Sequence, residues 1–388
     1  MNTASRLSTV RHVPLPNEPR VHDQARQAML TARYLLPVLP ELEAFFLAVR
    51  AQVDGPLKRE QPVKLGKMYP LGQCLEISLA VQQCLQTLRP DDLAPGSAAA
   101  AGYAAFAAFR KAGGVCRQVW GDLRGEFFQN AFQLGTLYLD VSNDTVTPTK
   151  PKVEILPFAD ARFIPVADFR HFARIAARYW QHHIYPNHVL PELAPYCPLI
   201  HVMPSGQIMV CEGTGYMVAL AQAGEFVPSE AVLCDRSMPD DIFTRVRVAL
   251  ADTPWPQAPA PEEGRAMALR ACREHRRKRW HASPQRMDAA IQTVREINRR
   301  LSAMTAPQSA SRKVHQEAGS AMSNIETVQI DGKQYNLNAL SDEARQQLSM
   351  VRAADQRLVE LQRDLAFIQT ARSAYISALT KLLPEAPK

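Results

Sequence analysis

The sequence predicts an α+β fold, in which a helical N-terminal half packs on a mostly antiparallel sheet. Helical periodicity extends from Asp23 to about Arg110, and short β-type runs separated by Gly, Asn-Asp and Pro follow from about Gly114. A second β signal lies near the C-terminus, where "TVQIDGKQYNL" places Asp331 and Gly332 between two β-type segments. Helices that precede a meandering sheet are typical of the α+β class.

Several helices are expected in the first part of the chain. Pro37 and Pro40 interrupt the helical pattern of residues 23–53, which predicts two helices there. A further helix is predicted over residues 72–88. It is apolar on most sides, which is typical of a central helix. The Ala-rich stretch that ends at Arg110 is also predicted to be helical.

The β part begins with five short runs: "CRQVWGDL", "EFFQNAFQL", "TLYLDV", "KVEILPF" and "ARFIPV". A helix is predicted over residues 168–183. After it, "PLIHVM" and "IMVCEG" flank the turn "PSGQ", which predicts a β-hairpin. Consecutive short strands with tight turns favour antiparallel pairing.

Composition changes along the chain indicate linkers and separate segments. Four prolines in "TPWPQAPAPEEG" indicate a stiff linker, and the polar stretch "SAMTAPQSASRKVHQEAGSA" indicates a flexible one. The predicted segments are a loose N-terminus at 1–22, an α+β domain at 23–250, a Pro-rich linker at 251–262, a basic helical bridge at 263–303, a flexible linker at 304–322 and a hairpin-plus-helix interaction module at 323–388.

The overall composition narrows the class of protein. The 388 residues are 46% hydrophobic and 21% charged, which is typical of globular rather than disordered chains. The N-terminus lacks the apolar core of a signal peptide, and no run reaches the roughly 18 apolar residues of a membrane-spanning helix. The seven cysteines are odd in number and never spaced Cys-x-x-Cys, which favours reduced thiols. We therefore expect a cytoplasmic protein without a membrane segment, a metal site or a cofactor.

Cys74 is the candidate reactive residue. It follows Gly72 at the predicted start of a buried helix, where backbone N–H groups and the helix dipole lower the pKa of a thiol. The stretch "YPLGQCLEISLAV" resembles the nucleophile helix of papain-like and transglutaminase-like cysteine enzymes, in which a Gly-x-Cys turn opens a central helix and a sheet follows. The resemblance covers residues 65–165, and it implies a His and an Asp, Asn or Glu on adjacent strands.

The sequence departs from that family pattern because residues 23–170 contain no His. On the predicted strands, Gln129 or Asn130 stands where such a family would place its His, and Asp140 stands where it would place the orienting acid. Neither amide acts as a general base near neutral pH, because neither takes up a proton there. The segment that resembles a cysteine enzyme therefore lacks the histidine that would act as its general base.

Two functions from different classes follow. In the first, the protein is a non-catalytic binding or assembly protein with a degenerate cysteine-peptidase-like domain. In the second, Cys74 is the nucleophile of an amide or ester hydrolase or acyltransferase, and His201 is its general base. Glu212 or Asp140 would then orient the imidazole. We favour the first function because the expected histidine is missing.

Positive charge is concentrated in one segment. Residues 251–321 contain thirteen Lys or Arg against seven Asp or Glu, within a net charge of +7 for the whole chain. The densest run is "RACREHRRKRWHASPQR" at 270–286. Its candidate anion- or nucleic-acid-binding residues are Arg276, Arg277, Lys278 and Arg279. An acidic protein partner and a solvated helix face are the alternatives.

Histidines on the predicted helix 168–183 raise the question of a metal site. His171 and His182 share a helix face, but the i, i+4 ligand spacing of helical metal sites is absent. A basic stripe is present instead, formed by Arg170, Arg174 and Arg178.

The C-terminal segment has the most specific motifs. "VQIDGKQYNLNALSDEARQQL" and "LQRDLAFIQTARSAYISAL" resemble a family of small, mostly uncharacterised proteins of bacteria and phages, over about residues 325–384. Apolar positions alternate in steps of four and three, as in a heptad seam. The predicted partner-binding residues are Leu361, Leu365, Ile368, Tyr375 and Leu379. We expect self-association or a protein partner here, through one long helix or a helical hairpin.

Overall fold

The computed structural model describes residues 15, 17–64, 67–211 and 213–305 and the strands at 327–330 and 333–336. Contacts divide the chain into two units, Met1–Ala306 and Pro307–Lys388. Helices and antiparallel sheets build the first unit, which confirms the predicted α+β class. Among the described helices, none combines the length and the apolar content that a membrane crossing requires.

The α-helices of the described residues are α1 (Gln24–Tyr34), α2 (Leu39–Glu60), α3 (Cys74–Thr87), α4 (Ala98–Lys111), α5 (Phe169–Trp180), α6 (Thr214–Ala223), α7 (Val227–Leu233), α8 (Asp240–Ala249), α9 (Pro261–Arg277) and α10 (Pro284–Thr305). The predicted break near Pro37 is present as a single 3-10 turn between α1 and α2. Pro40 lies in the first turn of α2, where its missing N–H removes no helical hydrogen bond. Proline therefore starts this helix and does not break it.

The strands are β1 (Val63–Lys64), β2 (Lys67–Met68), β3 (Cys116–Leu123), β4 (Phe127–Leu134), β5 (Leu137–Asp140), β6 (Glu154–Pro157), β7 (Phe163–Ile164), β8 (His183–Pro186), β9 (Leu199–Val202), β10 (Ile208–Val210), β11 (Thr327–Ile330) and β12 (Lys333–Asn336). The five runs predicted from the sequence form one antiparallel sheet with the order β6-β5-β4-β3-β7. The predicted hairpin β9-β10 is extended by β8 into a three-stranded sheet.

Helices α2, α3 and α4 cover one face of the five-stranded sheet. Aromatic side chains fill this interface, and Phe45, Phe106 and Phe109 are buried there with Phe132 of β4. Helix α4 approaches α2 closely at Gly102, where an added Cβ would lie 2.0 Å from a backbone oxygen of α2. Helix α3 contacts the sheet at its start, where Cys74 and Ser78 bond to Asn130 of β4.

A buried ion-pair network connects α2 to the chain that follows β5. The Arg50 side chain is fully buried, and its guanidinium donates to both Asp144 carboxylate oxygens, at 2.9 and 3.2 Å. It also donates to Asp54 at 2.6 Å and to the Val141 carbonyl at 2.6 Å. Such a pair is stable only because each charge has its partner.

Helices α9 and α10 belong to the first unit. Val294, Ile297 and Leu301 of α10 are buried in the same apolar cluster as β9 and β10. Asn298 pairs with the edge of β10, accepting from the Val210 N–H at 2.7 Å and donating to the Val210 carbonyl at 2.9 Å. The basic helical bridge expected at 263–303 is therefore not a separate segment. Besides its charged residues, it has an apolar face that packs into the core of the first unit.

The C-terminal hairpin is present as predicted. Strand β11 pairs antiparallel with β12, with Ile330 opposite Lys333 on either side of the turn. The apolar seam of Leu361, Leu365, Ile368, Tyr375 and Leu379 lies outside the described residues. The predicted long helix or helical hairpin also lies outside the described residues.

Candidate functional site

The turn before α3 positions Cys74 at the first residue of the helix. Gly72 adopts a φ of +72°, which suits glycine, and its N–H donates to the Thr145 carbonyl at 2.9 Å. Lys64 bonds to the Gly72 carbonyl at 2.9 Å and to Glu76 at 2.7 Å. The Gly-x-Cys turn is thus held against the loop after β5.

The Cys74 sulfur lies in a closed site, and no imidazole is among its contacts within the described residues. The side chain is 8% exposed, and Asn130 of β4 donates its Nδ2 to the sulfur at 3.5 Å. Burial raises the pKa of the Cys74 thiol, and the hydrogen bond from Asn130 offsets only part of that rise. The thiol is therefore protonated at neutral pH, and a thiol is a much weaker nucleophile than a thiolate.

Asn130 is held by its own neighbours. Its backbone carbonyl accepts hydrogen bonds from the hydroxyl of Ser78 on α3 at 3.1 Å and from that of Ser142 at 3.3 Å. The residue is buried, and its side-chain amide lies beside the Cys74 sulfur. The amide therefore forms part of a fixed polar cluster between α3 and the sheet.

Asp140, the predicted orienting acid, bonds to donors other than an imidazole. Its carboxylate accepts from the Gln129 amide at 2.6 Å, from the Ser142 N–H at 2.8 Å and from the Tyr138 hydroxyl at 3.1 Å. Burial raises the pKa of Asp140 to about 6, although these donors favour the charged form. The prediction that Asp140 orients His201 is corrected: it anchors the end of β5.

His201, the predicted base, lies on β9 in the apolar cluster of the second sheet. Its ring contacts Phe172 and His182, with centroids at 5.8 Å in both cases, and neither ring nitrogen has a hydrogen-bond partner. Burial lowers the pKa of His201 to about 3, so the imidazole stays neutral. Glu212, its predicted partner, lies outside the described residues. His201 belongs to a different sheet from the strands beside Cys74, and no described contact joins the two residues.

The basic run at 270–286 is partly neutralised by internal contacts. Arg276 forms an ion pair with Glu230 and donates to a backbone carbonyl, while Lys278 pairs with Glu274. Arg277 and Arg279 remain exposed. Within the described residues, two of the four predicted anion-binding residues therefore have no ion-pair partner, and the anion site itself stays a prediction.

Trp280, next to this run, is also covered from within the chain. The guanidinium of Arg286 lies 3.8 Å from its ring centroid, the Lys278 ammonium lies at 4.6 Å, and the His275 ring lies at 4.4 Å. These cation–π and ring contacts occupy the surface on which a nucleic-acid base would stack. The indole therefore stabilises the junction between α9 and α10.

A buried Asp–His pair was not anticipated from the sequence. His171 of α5 contacts Asp122 of β3 through Nε2 at 2.8 Å, and both side chains are buried. The two residues are 49 positions apart, so only the packing of α5 on the sheet brings them together. The described residues contain no group of three or more His, Cys, Asp or Glu side chains that could hold a metal ion.

Comparison of the chain with protein-family models, with curated proteins and with solved structures found no match.

Proposed function

We propose that the first unit is a non-catalytic binding domain, in which Cys74 is a structural thiol. The observation that carries this proposal is the neighbour of the sulfur: an Asn130 amide at 3.5 Å, in a site that leaves the thiol 8% exposed. A neutral amide cannot accept the thiol proton, and burial opposes its loss to water. The arrangement supports a residue that fills space and satisfies a donor.

The C-terminal unit would supply the association function. Its hairpin is described, and the heptad spacing that follows it in sequence supports self-association or a helical protein partner. The test is the molar mass of the full chain by light scattering, in the wild type and in the Leu365→Asp and Leu379→Asp variants. Loss of association in both variants supports the proposal. Gln362→Asp, which lies off the seam, is the matched control and should not change the mass.

Competitive thiol labelling tests the proposal for Cys74. The native protein is treated with iodoacetamide at neutral pH, and the labelled cysteines are identified by mass spectrometry. Cys234 is exposed and serves as the internal reference, whereas Cys74 and Cys197 are buried. We expect Cys234 to react first and Cys74 to react only under denaturing conditions, as Cys197 does.

Labelling of Cys74 ahead of Cys234 would overturn the proposal. A buried thiol can react faster than an exposed one only if the site opens and ionises the sulfur. That result would support the alternative, a cysteine-dependent amide or ester hydrolase or acyltransferase. Partial reaction of Cys74 at the rate of Cys197 would remain within the structural interpretation, since both would then report global unfolding.

A further inference from the structure

A cleft opens to solvent at the edge of the five-stranded sheet. Its volume is about 580 Å³, and it lies between the β3–β4 turn, β7 and the start of α5. Four arginines line it: Arg124, Arg162, Arg170 and Arg174. Small-molecule sites typically have volumes of about 300–1,000 Å³. The cleft is thus large enough for a small organic ligand.

The floor of the cleft is rigid. Asp122 accepts from the Gly125 N–H at 2.8 Å through one oxygen and contacts His171 Nε2 at 2.8 Å through the other. The other ring nitrogen of His171, Nδ1, accepts from the Ala167 N–H at 3.1 Å. Because Nδ1 is an acceptor, the proton of the neutral ring lies on Nε2, which donates to Asp122. Both groups are fully engaged, so they shape the site and offer no free acid or base.

Two of the four arginines already have carboxylate partners. Arg124 bonds to Glu154 at 2.8 Å, and Arg170 forms a two-point contact with Asp235. Arg162 and Arg174 are exposed, and among the described residues neither side chain forms an ion pair or a hydrogen bond. The cleft therefore contains two guanidinium groups whose donors are available to a ligand.

The backbone brings like charges together at this edge. The Arg124 N–H donates to the Arg162 carbonyl at 3.0 Å, which places the two residues opposite each other beyond the paired ends of β3 and β7. Both have positive φ angles, 62° and 50°. A left-handed conformation costs a non-glycine residue on the order of 1 kcal/mol or more, and adjacent like charges repel. Since Glu154 already pairs with Arg124, the uncompensated charge of this pair is that of Arg162.

The remaining lining groups limit the ligand further. The Asp168 carboxylate accepts from the His171 N–H at 2.7 Å as the helix cap, so it is already engaged. Ile164 is 48% exposed at the cleft and provides an apolar surface. Guanidinium groups bind phosphate oxygens through paired N–H donors. We propose that this cleft binds the phosphate monoester of a small organic molecule, with Arg162 and Arg174 on the phosphate and Ile164 against the organic part. This inference goes beyond the proposed function, because it does not depend on the state of Cys74.

Calorimetric titration of the full chain with phenyl phosphate tests the inference. We expect a dissociation constant of about 1 mM or tighter, and weaker binding of inorganic phosphate, which lacks the apolar part. The double variant Arg162→Gln/Arg174→Gln should bind at least about tenfold more weakly, because each lost charge-assisted contact is substantial. Arg178→Gln is the matched control, since Arg178 is exposed on the same helix but does not line the cleft. It should change binding less than about twofold.

Three outcomes would overturn the inference. The first is no binding of phenyl phosphate at concentrations well above about 1 mM. The second is equal weakening by Arg178→Gln and by the double variant, which would indicate a general surface charge effect. The third is inorganic phosphate binding as tightly as phenyl phosphate, which would remove the role of Ile164. Thermal unfolding of each variant is measured alongside, and these surface substitutions should leave the transition unchanged.

Discussion

His201 gives the chain a measurable dependence of stability on pH. Its imidazole is fully buried, and burial lowers its pKa from 6.5 to about 3. In the unfolded chain the ring takes up a proton as the pH falls below 6.5, but in the folded chain it does not. The unfolded state then binds more protons, so the free energy of unfolding falls as the pH is lowered. The contribution is complete above pH 6.5 and is lost between pH 6.5 and about pH 3.

The magnitude follows from the same two pKa values. Each pH unit below 6.5 lowers the free energy of unfolding by about 1.4 kcal/mol. At pH 5 this one residue therefore lowers it by about 2 kcal/mol. Replacing it by an apolar residue removes that term. His201→Leu also removes two ring nitrogens that have no hydrogen-bond partner, each of which costs about 1 kcal/mol or more when buried. We expect the variant to be at least as stable as the wild type at pH 7.

Urea unfolding followed by tryptophan fluorescence measures this term. The four tryptophans, Trp120, Trp180, Trp255 and Trp280, all precede residue 306, so the signal reports the first unit. The quantity of interest is the difference between wild type and variant, at about pH 7 and about pH 5. That difference should grow by about 2 kcal/mol in favour of the variant over this interval.

Because of Asp140, the effect of His201 must be measured as the difference in stability between the wild type and His201→Leu. Its pKa is raised to about 6 in the folded state, so it contributes stability that is lost as the pH rises between about 4 and 6. This trend opposes that of His201 and could hide it in the wild type alone. It cancels in the difference, because both proteins keep Asp140. His183→Leu is the control for replacing a histidine by leucine, since His183 is exposed to solvent. A constant difference between wild type and His201→Leu would refute the reasoning.

Two further substitutions test the packing around the Cys74 helix. Arg50→Met should lower the free energy of unfolding by about 3–5 kcal/mol, because it leaves the buried Asp144 carboxylate without its partner. Urea unfolding measures this loss, and the double variant Arg50→Met/Asp144→Leu should recover part of it. Gly102→Ala should also destabilise strongly, because its Cβ would overlap the backbone of α2. Gly55→Ala in α2 meets only the end of a flexible side chain, so it should change the free energy of unfolding much less. Equal effects of the two glycine substitutions would contradict the close contact between α2 and α4.

Local patterns predicted the elements well because their causes are local. The five β-type runs became β3 to β7, since turn residues and strand-forming side chains act over a few positions. The strand that contains Asn130 followed from the same local reasoning, whereas its place beside Cys74 was expected only from the resemblance, which left Gln129 and Asn130 open. The sequence also favoured the start of α3 at Cys74, because Gly72 provides the turn that precedes it.

The failures have a different origin, because they depend on contacts between distant segments. His201 was assigned to the catalytic set from its position in sequence order, but strand pairing places it in the second sheet. Arg276 and Lys278 were counted as free charges, but their partners lie on neighbouring turns and on α7. The cleft combines a turn, a two-residue strand and a helix, none of which has a distinctive motif by itself.

Strand β4 explains why a function is expected at the edge of the sheet. All eight of its residues are buried, and successive side chains point to opposite faces. Asn130 and Phe132 face the helices, while Phe127 and Ala131 pack among sheet residues in a separate cluster. The enclosed amide nitrogens of Gln129 and Asn130 donate within the protein, and the Cys74 sulfur beside Asn130 is only 8% exposed. The polar cluster at Cys74 therefore stabilises the fold, whereas the arginines beyond β7 keep donors that face solvent. Binding chemistry in this unit is accordingly expected where the sheet ends.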